Sequence, residues 1–286
     1  KRIPDQFYAL FAVDSRHIPV GTVPLYRAMR NKRSAKIIDI MTTNPIIVSV
    51  NDKRQDVAFL FDQYELISAP VADARGRLIG MITIDDVVDL IREKADEDIL
   101  KLGGVSAEGD LYLAAFKTAR NRFGWLAINL ITAILASIAI AFFETTIEKL
   151  VSLAILMPIV ASMGGNAGTQ TLTVAVRAIA TREITSSNAI RVFGKEILVG
   201  MYNGFFFAFL IGIITGLWFQ DYLLGFIIAF SMLFNLILAG TFGAAVPIIL
   251  HRLRIDPAVS ATVILTTVTD ILGFVIFLGL AKYLLM

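Results

Sequence analysis

A hydrophobic stretch at residues 258–285 carries one acidic residue, Asp270, near its middle. The stretch is long enough to cross a bilayer as a single helix, with its centre in the driest part of the hydrocarbon. An ionised aspartate at that depth costs at least a few kcal/mol. A hydrogen-bonding neighbour, a water-filled cavity or a cation must offset this cost. Thr266 and Thr267 one helical turn before it, and Gly273 one turn after it, predict a small and polar face around the carboxylate.

The composition favours a membrane protein with a soluble part at its N-terminal end. Of 286 residues, 56% are hydrophobic, and the mean hydropathy is +0.72, which is too apolar for a soluble globular protein of this length. By contrast, 35 of the 50 charged residues precede Trp125. The absence of cysteine excludes disulfides and thiolate metal sites, and a net charge of +2 argues against a nucleic-acid partner. No secretory signal opens the sequence, so we expect the soluble part to be cytoplasmic.

Residues 45–94 predict one compact unit in the order strand, helix, strand, strand, helix. The predicted strands are residues 45–50, 69–73 and 78–84, and the predicted helices are residues 52–64 and 85–94. The second half of this unit repeats an earlier piece of the chain at an offset of 59 residues. Asp14, Arg16 and Gly21 correspond to Asp73, Arg75 and Gly80. The earlier copy lacks its opening strand and helix, so we expect the chain to begin inside a module.

This arrangement resembles the paired cystathionine-β-synthase-type modules called CBS domains. The resemblance is carried by Ile40-Met41-Thr42, Pro70-Val71-Ala72-Asp73 and Gly80-Met81-Ile82-Thr83-Ile84-Asp85-Asp86. It implies a dimerising regulatory sensor of nucleotides or ions. Thr83 and Asp86 match the positions that hold the ribose and phosphate side of a nucleotide such as ATP. Alternatively, Asp85 and Asp86 cap the helix that follows.

Seven acidic residues are concentrated in residues 85–98. Of these, Asp89, Glu93 and Glu97 are spaced by four, so a continuous helix would align them in one negative stripe. A solvated helix face is one interpretation of this run. The other is an oxygen-ligand site for Mg²⁺ or Ca²⁺ between two subunits, with Asp86 joining the stripe as a ligand.

After Gly103 and Gly104, residues 109–123 predict an amphipathic helix at the cytoplasmic membrane surface. Five membrane spans are predicted at residues 125–143, 150–179, 197–218, 223–250 and 258–285. The domains are therefore residues 1–37 and 38–102 for the two CBS modules, 103–124 for the connecting helix and 125–286 for the membrane part.

Basic residues in alternate loops place the N-terminus in the cytoplasm and the C-terminus outside. The odd span number favours a symmetric dimer around a pore.

The second span contains a polar and glycine-rich stretch at residues 158–170. Gly164 and Gly168 have the spacing of a helix contact through small residues. That interpretation explains Asn166 and Gln170 poorly, because their amides lie at membrane depth and need protein or water as partners. The stretch therefore predicts either a packing surface or part of a polar passage.

These features together resemble the MgtE family of magnesium channels and transporters. The stretches that carry the resemblance are Gly164-Gly165-Asn166-Ala167-Gly168-Thr169-Gln170, residues 176–182, Asp256-Pro257-Ala258, Thr269-Asp270-Ile271-Leu272-Gly273 and the link at residues 97–103. The resemblance implies an α-helical membrane protein with five transmembrane helices and an N-terminal cytoplasmic α+β CBS-type domain that is truncated at its start. Thr169 departs from relatives that carry Asn there. The family's helical N-terminal domain is also missing.

The resemblance further implies a homodimer in the plasma or inner membrane, not an enzyme. It would carry Mg²⁺ through a pore lined by the second and fifth spans and close when cytoplasmic Mg²⁺ binds the CBS domains. Asp270 is then the pore carboxylate. Asn166, Gly165 and Gly273 lie by the ion path, and Asp256 sits at its cytoplasmic mouth.

Two Asp270 carboxylates across a dimer axis would balance one divalent ion and hold it through its waters. A monovalent ion would leave one carboxylate uncompensated. Two alternatives stay open, namely an ion-coupled carrier or exporter and a transporter of Co²⁺ or Mn²⁺. An intramembrane aspartyl protease is disfavoured, because the other acids of the membrane part lie near span ends.

Overall fold

The computed structural model describes residues 7–105, 112–185 and 187–285. The chain divides into two compact units, Lys1–Glu97 and Asp98–Met286. Its elements in order are β1 (Ala9–Val13), β2 (Pro19–Pro24), α1 (Leu25–Arg30), α2 (Ile37–Ile40), β3 (Thr42–Thr43), β4 (Val48–Ser49), α3 (Arg54–Gln63), β5 (Ser68–Ala72), β6 (Leu78–Thr83), α4 (Ile84–Leu102), α5 (Ala115–Ala141), α6 (Glu144–Lys149), α7 (Ser152–Ala180), α8 (Ala189–Phe219), α9 (Tyr222–Arg252) and α10 (Pro257–Leu285).

The first unit contains two small sheets that repeat one another. The hairpin β1–β2 starts at the pair Ala9↔Pro24, and the hairpin β5–β6 starts at Ser68↔Thr83, which is the predicted 59-residue offset. Both hairpins shift register at the same relative position, before the last pair. The strand β3 extends the first sheet antiparallel to β2, whereas β4 extends the second sheet parallel to β5. The sequence repeat is therefore confirmed at the level of strand register.

An aspartate closes each hairpin in the same way. The Oδ1 of Asp14 accepts from the backbone N–H groups two and four residues on, at 2.9 and 2.8 Å, and Asp73 does the same at 2.8 and 2.9 Å. In the second hairpin the Arg77 guanidinium also binds the carboxylate, at 2.8 Å. The backbone N–H and side chain of Arg77 thereby hold the pKa of Asp73 below its usual value.

The second sheet packs its apolar side against α3 and the start of α4. The buried core consists of Val48, Val57, Phe61, Ala69 and Val87. The helix α4 was predicted to end at residue 94 but continues to Leu102. Its acidic residues lie mostly on solvent-exposed positions, where charge does not oppose helix formation strongly.

The second unit is helical, and within the described residues five of its helices have 27 to 31 residues. Four of these, α5, α8, α9 and α10, are long and apolar enough to cross a membrane. The remaining one, α7, has 29 residues but carries the polar stretch that lowers its hydropathy. The predicted connecting helix and first span share one helix from Ala115 onward, while residues 109–111 of that prediction lie outside the described residues.

The helix α9 lies at the centre of this unit and packs against α7, α8 and α10. Its contact with α8 is close because α8 carries a small residue at every fourth position, namely Gly200, Gly204, Ala208, Gly212 and Gly216. At the first of these, an added Cβ would lie 2.6 Å from the carbonyl oxygen of Leu236 in α9. The glycines of α8 therefore serve helix packing.

Candidate ion path

Asp270 lies near the middle of α10 and is half-buried. Among the described residues, its carboxylate has no hydrogen-bond or ion-pair partner. A helix of 29 residues covers about 44 Å, so the middle of α10 falls near the centre of a bilayer about 30 Å thick. The described part of one chain thus leaves a carboxylate at membrane depth without a compensating group.

The neighbouring threonines do not supply such a group. The Thr266 hydroxyl donates to the carbonyl of Thr262 at 3.0 Å, and the Thr267 hydroxyl donates to that of Val263 at 2.6 Å. Both protons are therefore used inside α10, while the hydroxyl oxygens keep lone pairs. The small, polar face predicted around Asp270 is present, but it offers acceptor oxygens rather than donors.

The helix α7 has two faces of different character. Gly164 and Gly168 are buried, and an added Cβ on Gly168 would lie 3.0 Å from the side chain of Leu265 in α10. The exposed face carries a row of polar side chains at helical spacing: Ser162, Asn166, Thr169 and Thr173. Both interpretations of this stretch therefore apply, each to one face. The glycines pack against protein, and the amide and hydroxyl groups face outward.

Asn166 belongs to the outward face, where its amide Nδ2 donates to the Ser162 hydroxyl at 3.3 Å. Gly165 has open space at the position of a Cβ. By contrast, Gly273 is buried in α10, and an added Cβ there would lie 3.0 Å from the Asn235 amide. The structure therefore brings Gly273 against α9, while Asn166 and Gly165 remain on the accessible side of α7.

Asn235 is a buried polar residue that the sequence interpretation did not single out. Its Nδ2 donates to the Val160 carbonyl in α7 at 2.8 Å, and its Oδ1 has no hydrogen-bond partner among the residues described. The side chain lies in the notch left by Gly164 of α7 and Gly273 of α10. Asn235 thus fixes both helices that carry the candidate ion ligands. The available signal was a single Asn in the apolar stretch of residues 223–250.

Asp256, predicted at the cytoplasmic mouth, precedes α10. Its Oδ1 accepts from the Ala258 backbone N–H at 3.0 Å, which is a helix N-cap contact. Its Oδ2 binds the Lys101 amine at 2.8 Å. A lysine therefore holds this carboxylate where a cation was expected.

In the first unit, Thr83 and Asp86 contact each other. The Asp86 Oδ2 accepts from the Thr83 backbone N–H at 3.2 Å and from its hydroxyl at 2.9 Å. With Thr83 directly before α4 and Asp86 three residues later, this is one half of a capping box. The capping alternative accounts for this carboxylate, and nucleotide binding at these residues stays a prediction.

The acidic stripe of α4 carries charge partners within one chain. Glu93 lies 3.5 Å from the Arg54 guanidinium, and Glu97 lies 3.5 Å from the Lys94 amine. Among the residues that the structure describes, no three acidic or histidine side chains gather to hold a metal ion. A regulatory metal site on Asp86, Asp89, Glu93 and Glu97 would need ligands from a second chain, and it remains a prediction.

Two family models match this chain. Residues 157–280 match MgtE, described as a divalent cation transporter, and residues 37–93 match the CBS domain. The first match includes the polar stretch of α7, Asn235 and Asp270. The second includes Thr83, Asp86 and most of the acidic stripe.

Curated relatives align with nearly the whole chain. The magnesium transporter MgtE of Bacillus subtilis is 30% identical over 279 residues, which cover 98% of this chain and 62% of that protein. The magnesium transporter MgtE of Thermus thermophilus is 32% identical over 283 residues, which cover 98% of this chain and 63% of that protein. The chain thus spans less than two thirds of the length of these relatives.

Solved structures align with a smaller part. The cytosolic domain of the Mg²⁺ channel MgtE in complex with ATP is 28% identical, covers 30% of this chain and 35% of that chain, and has a TM-score of 0.29. The soluble part of a magnesium transporter is 32% identical, covers 32% of this chain and 36% of that chain, and has a TM-score of 0.31.

Proposed function

Because the helical part of this chain belongs to the MgtE family of divalent cation transporters and its soluble part contains a CBS domain, we propose that this multi-pass membrane protein carries Mg²⁺. The observation that carries the proposal is Asp270, a carboxylate near the middle of a membrane-length helix that has no partner in the part of the chain that the structure describes. The named relatives are transporters, which favours transport over catalysis.

Two copies of the chain complete the site. Two Asp270 carboxylates facing each other across a two-fold axis supply two negative charges, which balance one divalent cation. Mg²⁺ gives up its waters reluctantly, so the carboxylates bind the hydrated ion through its water shell. The acceptor oxygens of Thr266 and Thr267 receive hydrogen bonds from those waters. A monovalent ion would leave one buried charge uncompensated and is excluded while Mg²⁺ is bound.

The outward face of α7 forms the second wall of the passage. Its polar row would be costly against lipid, since amide groups in hydrocarbon need a partner. Against a second copy and water, the same groups are satisfied. The exposed polar face of α7 therefore supports a dimer in which α7 and α10 line the ion path.

Single-cysteine variants test this arrangement, because the chain has no cysteine of its own. We expect Thr169→Cys to give a cross-linked dimer in membranes treated with a short bifunctional thiol reagent, because the two walls of a passage for a hydrated ion stand too far apart for a direct disulfide. Phe209→Cys, on the apolar exposed side of α8, should stay monomeric on a non-reducing gel. Equal cross-linking of both variants, or none at Thr169→Cys, would contradict a two-fold axis beside α7.

Ion entry into vesicles tests the function itself. Liposomes containing the purified chain should take up Mg²⁺ down its own gradient, with the rate unchanged by an imposed proton or Na⁺ gradient. A strict requirement for such a gradient would favour an ion-coupled carrier or exporter. Faster uptake of Co²⁺ or Mn²⁺ than of Mg²⁺ would identify one of those ions as the transported substrate. Absence of any divalent uptake would overturn the proposal.

Asp256 and Lys101 mark the cytoplasmic mouth in this proposal. We place the N-terminus in the cytoplasm and the C-terminus outside, because the basic residues of the loops favour this orientation. The Lys101 amine neutralises Asp256 at 2.8 Å, so an arriving Mg²⁺ must compete with a tethered cation. This competition makes the mouth a point at which α4 influences ion entry.

Regulation by cytoplasmic Mg²⁺ is proposed at the acidic stripe of α4. Glu93 and its partner Arg54 are 69% and 79% exposed, so this pair is weak and can yield to a divalent ion shared with a second chain. We expect Mg²⁺ to protect residues 85–105 from protease and the double variant Glu93→Gln/Glu97→Gln to lose that protection. Equal cleavage of the unaltered chain in Mg²⁺ and in chelator would count against sensing.

A further inference from the structure

A second membrane-embedded carboxylate, Glu196, lies in α8 away from Asp270. The 31 residues of α8 cover about 46 Å, which exceeds the hydrocarbon thickness of about 30 Å by roughly 8 Å at each end. Glu196 follows the helix start at Ala189 by two turns, about 10 Å, so it lies at the inner edge of the hydrocarbon. Glu196 as a whole residue is 8% exposed, which is low for an acidic residue.

The described part of the chain compensates this carboxylate only partly. The Thr171 hydroxyl of α7 donates to Oε2 at 3.2 Å. The Lys195 amine lies 4.0 Å from Oε1, but that side chain is 72% exposed, so the attraction is screened. A carboxylate has about four lone-pair directions, and only one of them has a hydrogen-bond donor here. Most of the acceptor capacity of Glu196 is unused.

The free side of Glu196 faces a cavity of about 190 Å³ between α7, α8 and α9. Gln170, Thr171 and Asn203 line the same cavity and add neutral oxygen atoms to the carboxylate. At about 30 Å³ per water, the volume corresponds to roughly six waters. The cavity is therefore large enough for a small cation that keeps part of its hydration shell.

The position of Glu196 is fixed by close helix packing. An added Cβ on Gly240 of α9 would lie 2.6 Å from the Glu196 carbonyl oxygen, so the two backbones touch at this point. Gly200, one turn further along α8, makes a similar approach to Leu236. The backbone that carries Glu196 is thus held in place at the cavity, so ligand binding has to order only the side chain.

We propose that this cavity is a binding site for one small monovalent cation, such as Na⁺, held by Glu196, Thr171, Gln170 and Asn203. Carboxylate, hydroxyl and amide oxygens are the ligands that hard cations prefer. One carboxylate balances one positive charge, whereas a doubly charged ion would keep one charge uncompensated. The site is separate from the Asp270 path and stands whether or not that path carries Mg²⁺.

Thermal unfolding in detergent tests the site, because an ion that binds the folded state raises the unfolding midpoint. NaCl is compared with N-methyl-D-glucamine chloride at the same ionic strength, since the bulky organic cation cannot be coordinated by several ligand oxygens at once as Na⁺ can. We expect Na⁺ to raise the midpoint of the unaltered chain and of Asp270→Asn. Glu196→Gln, which keeps the side-chain shape, should need about tenfold more Na⁺ for half the effect, or show none.

Equal midpoints of the unaltered chain in the two salts would overturn the proposal, as would a Na⁺ effect that persists in Glu196→Gln at the same concentration. Asn203→Leu provides a second variant if Glu196→Gln does not fold, because Asn203 is exposed and its replacement disturbs packing little. It should weaken Na⁺ binding several-fold, and an unchanged Na⁺ response would again contradict the site.

Discussion

Replacing Asp270 with Asn is expected to abolish Mg²⁺ uptake by reconstituted vesicles while the protein remains folded. The change removes one negative charge per chain but keeps the volume of the side chain. Taking the charge from a buried ion pair costs about 3 kcal/mol or more, which corresponds to an ion occupancy lower by about 100-fold. Since a symmetric dimer loses both charges at once, the residual flux should be indistinguishable from empty vesicles.

Folding of Asp270→Asn should be preserved or improved, because the uncompensated carboxylate of the ion-free state is gone. Its elution volume and unfolding midpoint in Mg²⁺-free detergent report this separately from flux. Glu148→Gln is the matched control, since it removes an exposed carboxylate from α6 and should transport normally. Undiminished uptake by a folded Asp270→Asn protein would remove this residue from the ion path.

Gly200→Ala is expected to destabilise the protein strongly, whereas Gly194→Ala in the same helix should not. Both changes favour helix formation by about 1 kcal/mol. Only the first places a methyl group 2.6 Å from the backbone oxygen of Leu236, while the second meets nothing within 4 Å. Overpacking of this kind costs about 1–3 kcal/mol, and more where backbone must move.

The unfolding midpoint in detergent, measured for both variants side by side, checks this difference. Gly194→Ala should unfold at or above the temperature of the unaltered chain, and Gly200→Ala clearly below it. If the two variants unfold together, α8 and α9 are not in the backbone contact described above.

The sequence predicted those parts of the fold that follow from local pattern. Four predicted spans meet the criteria for membrane-crossing helices, and the hairpin repeat recurs with the same strand register. The end of α4 was placed too early, at residue 94. The acidic residues of this helix are mostly exposed and solvated, so they do not terminate it. The short helix α6 was not predicted, because six residues are too few for a periodic signal.

The candidate site was predicted only where a residue type is unusual in its own segment. Asp270 stood out because acids are rare in apolar helices. Asn235, although the single Asn of its apolar stretch, and Glu196 were not singled out, because their contacts with α7 cannot be read from positions so far apart in the sequence. Val160 and Asn235 are 75 positions apart, and Thr171 and Glu196 are 25 apart. Gly273, expected by the ion path, proved to be the surface against which Asn235 packs.

The division of α7 into two faces decides what a substitution there affects. Gly164 and Gly168 serve packing, because an added Cβ at these positions would crowd Asn235 of α9 or Leu265 of α10. The outward positions, such as Thr169, are exposed and do not pack against the other described helices of the same chain. Under the proposed function, substitutions at those outward positions would change which ion is preferred and leave the packing of α7 within one chain intact.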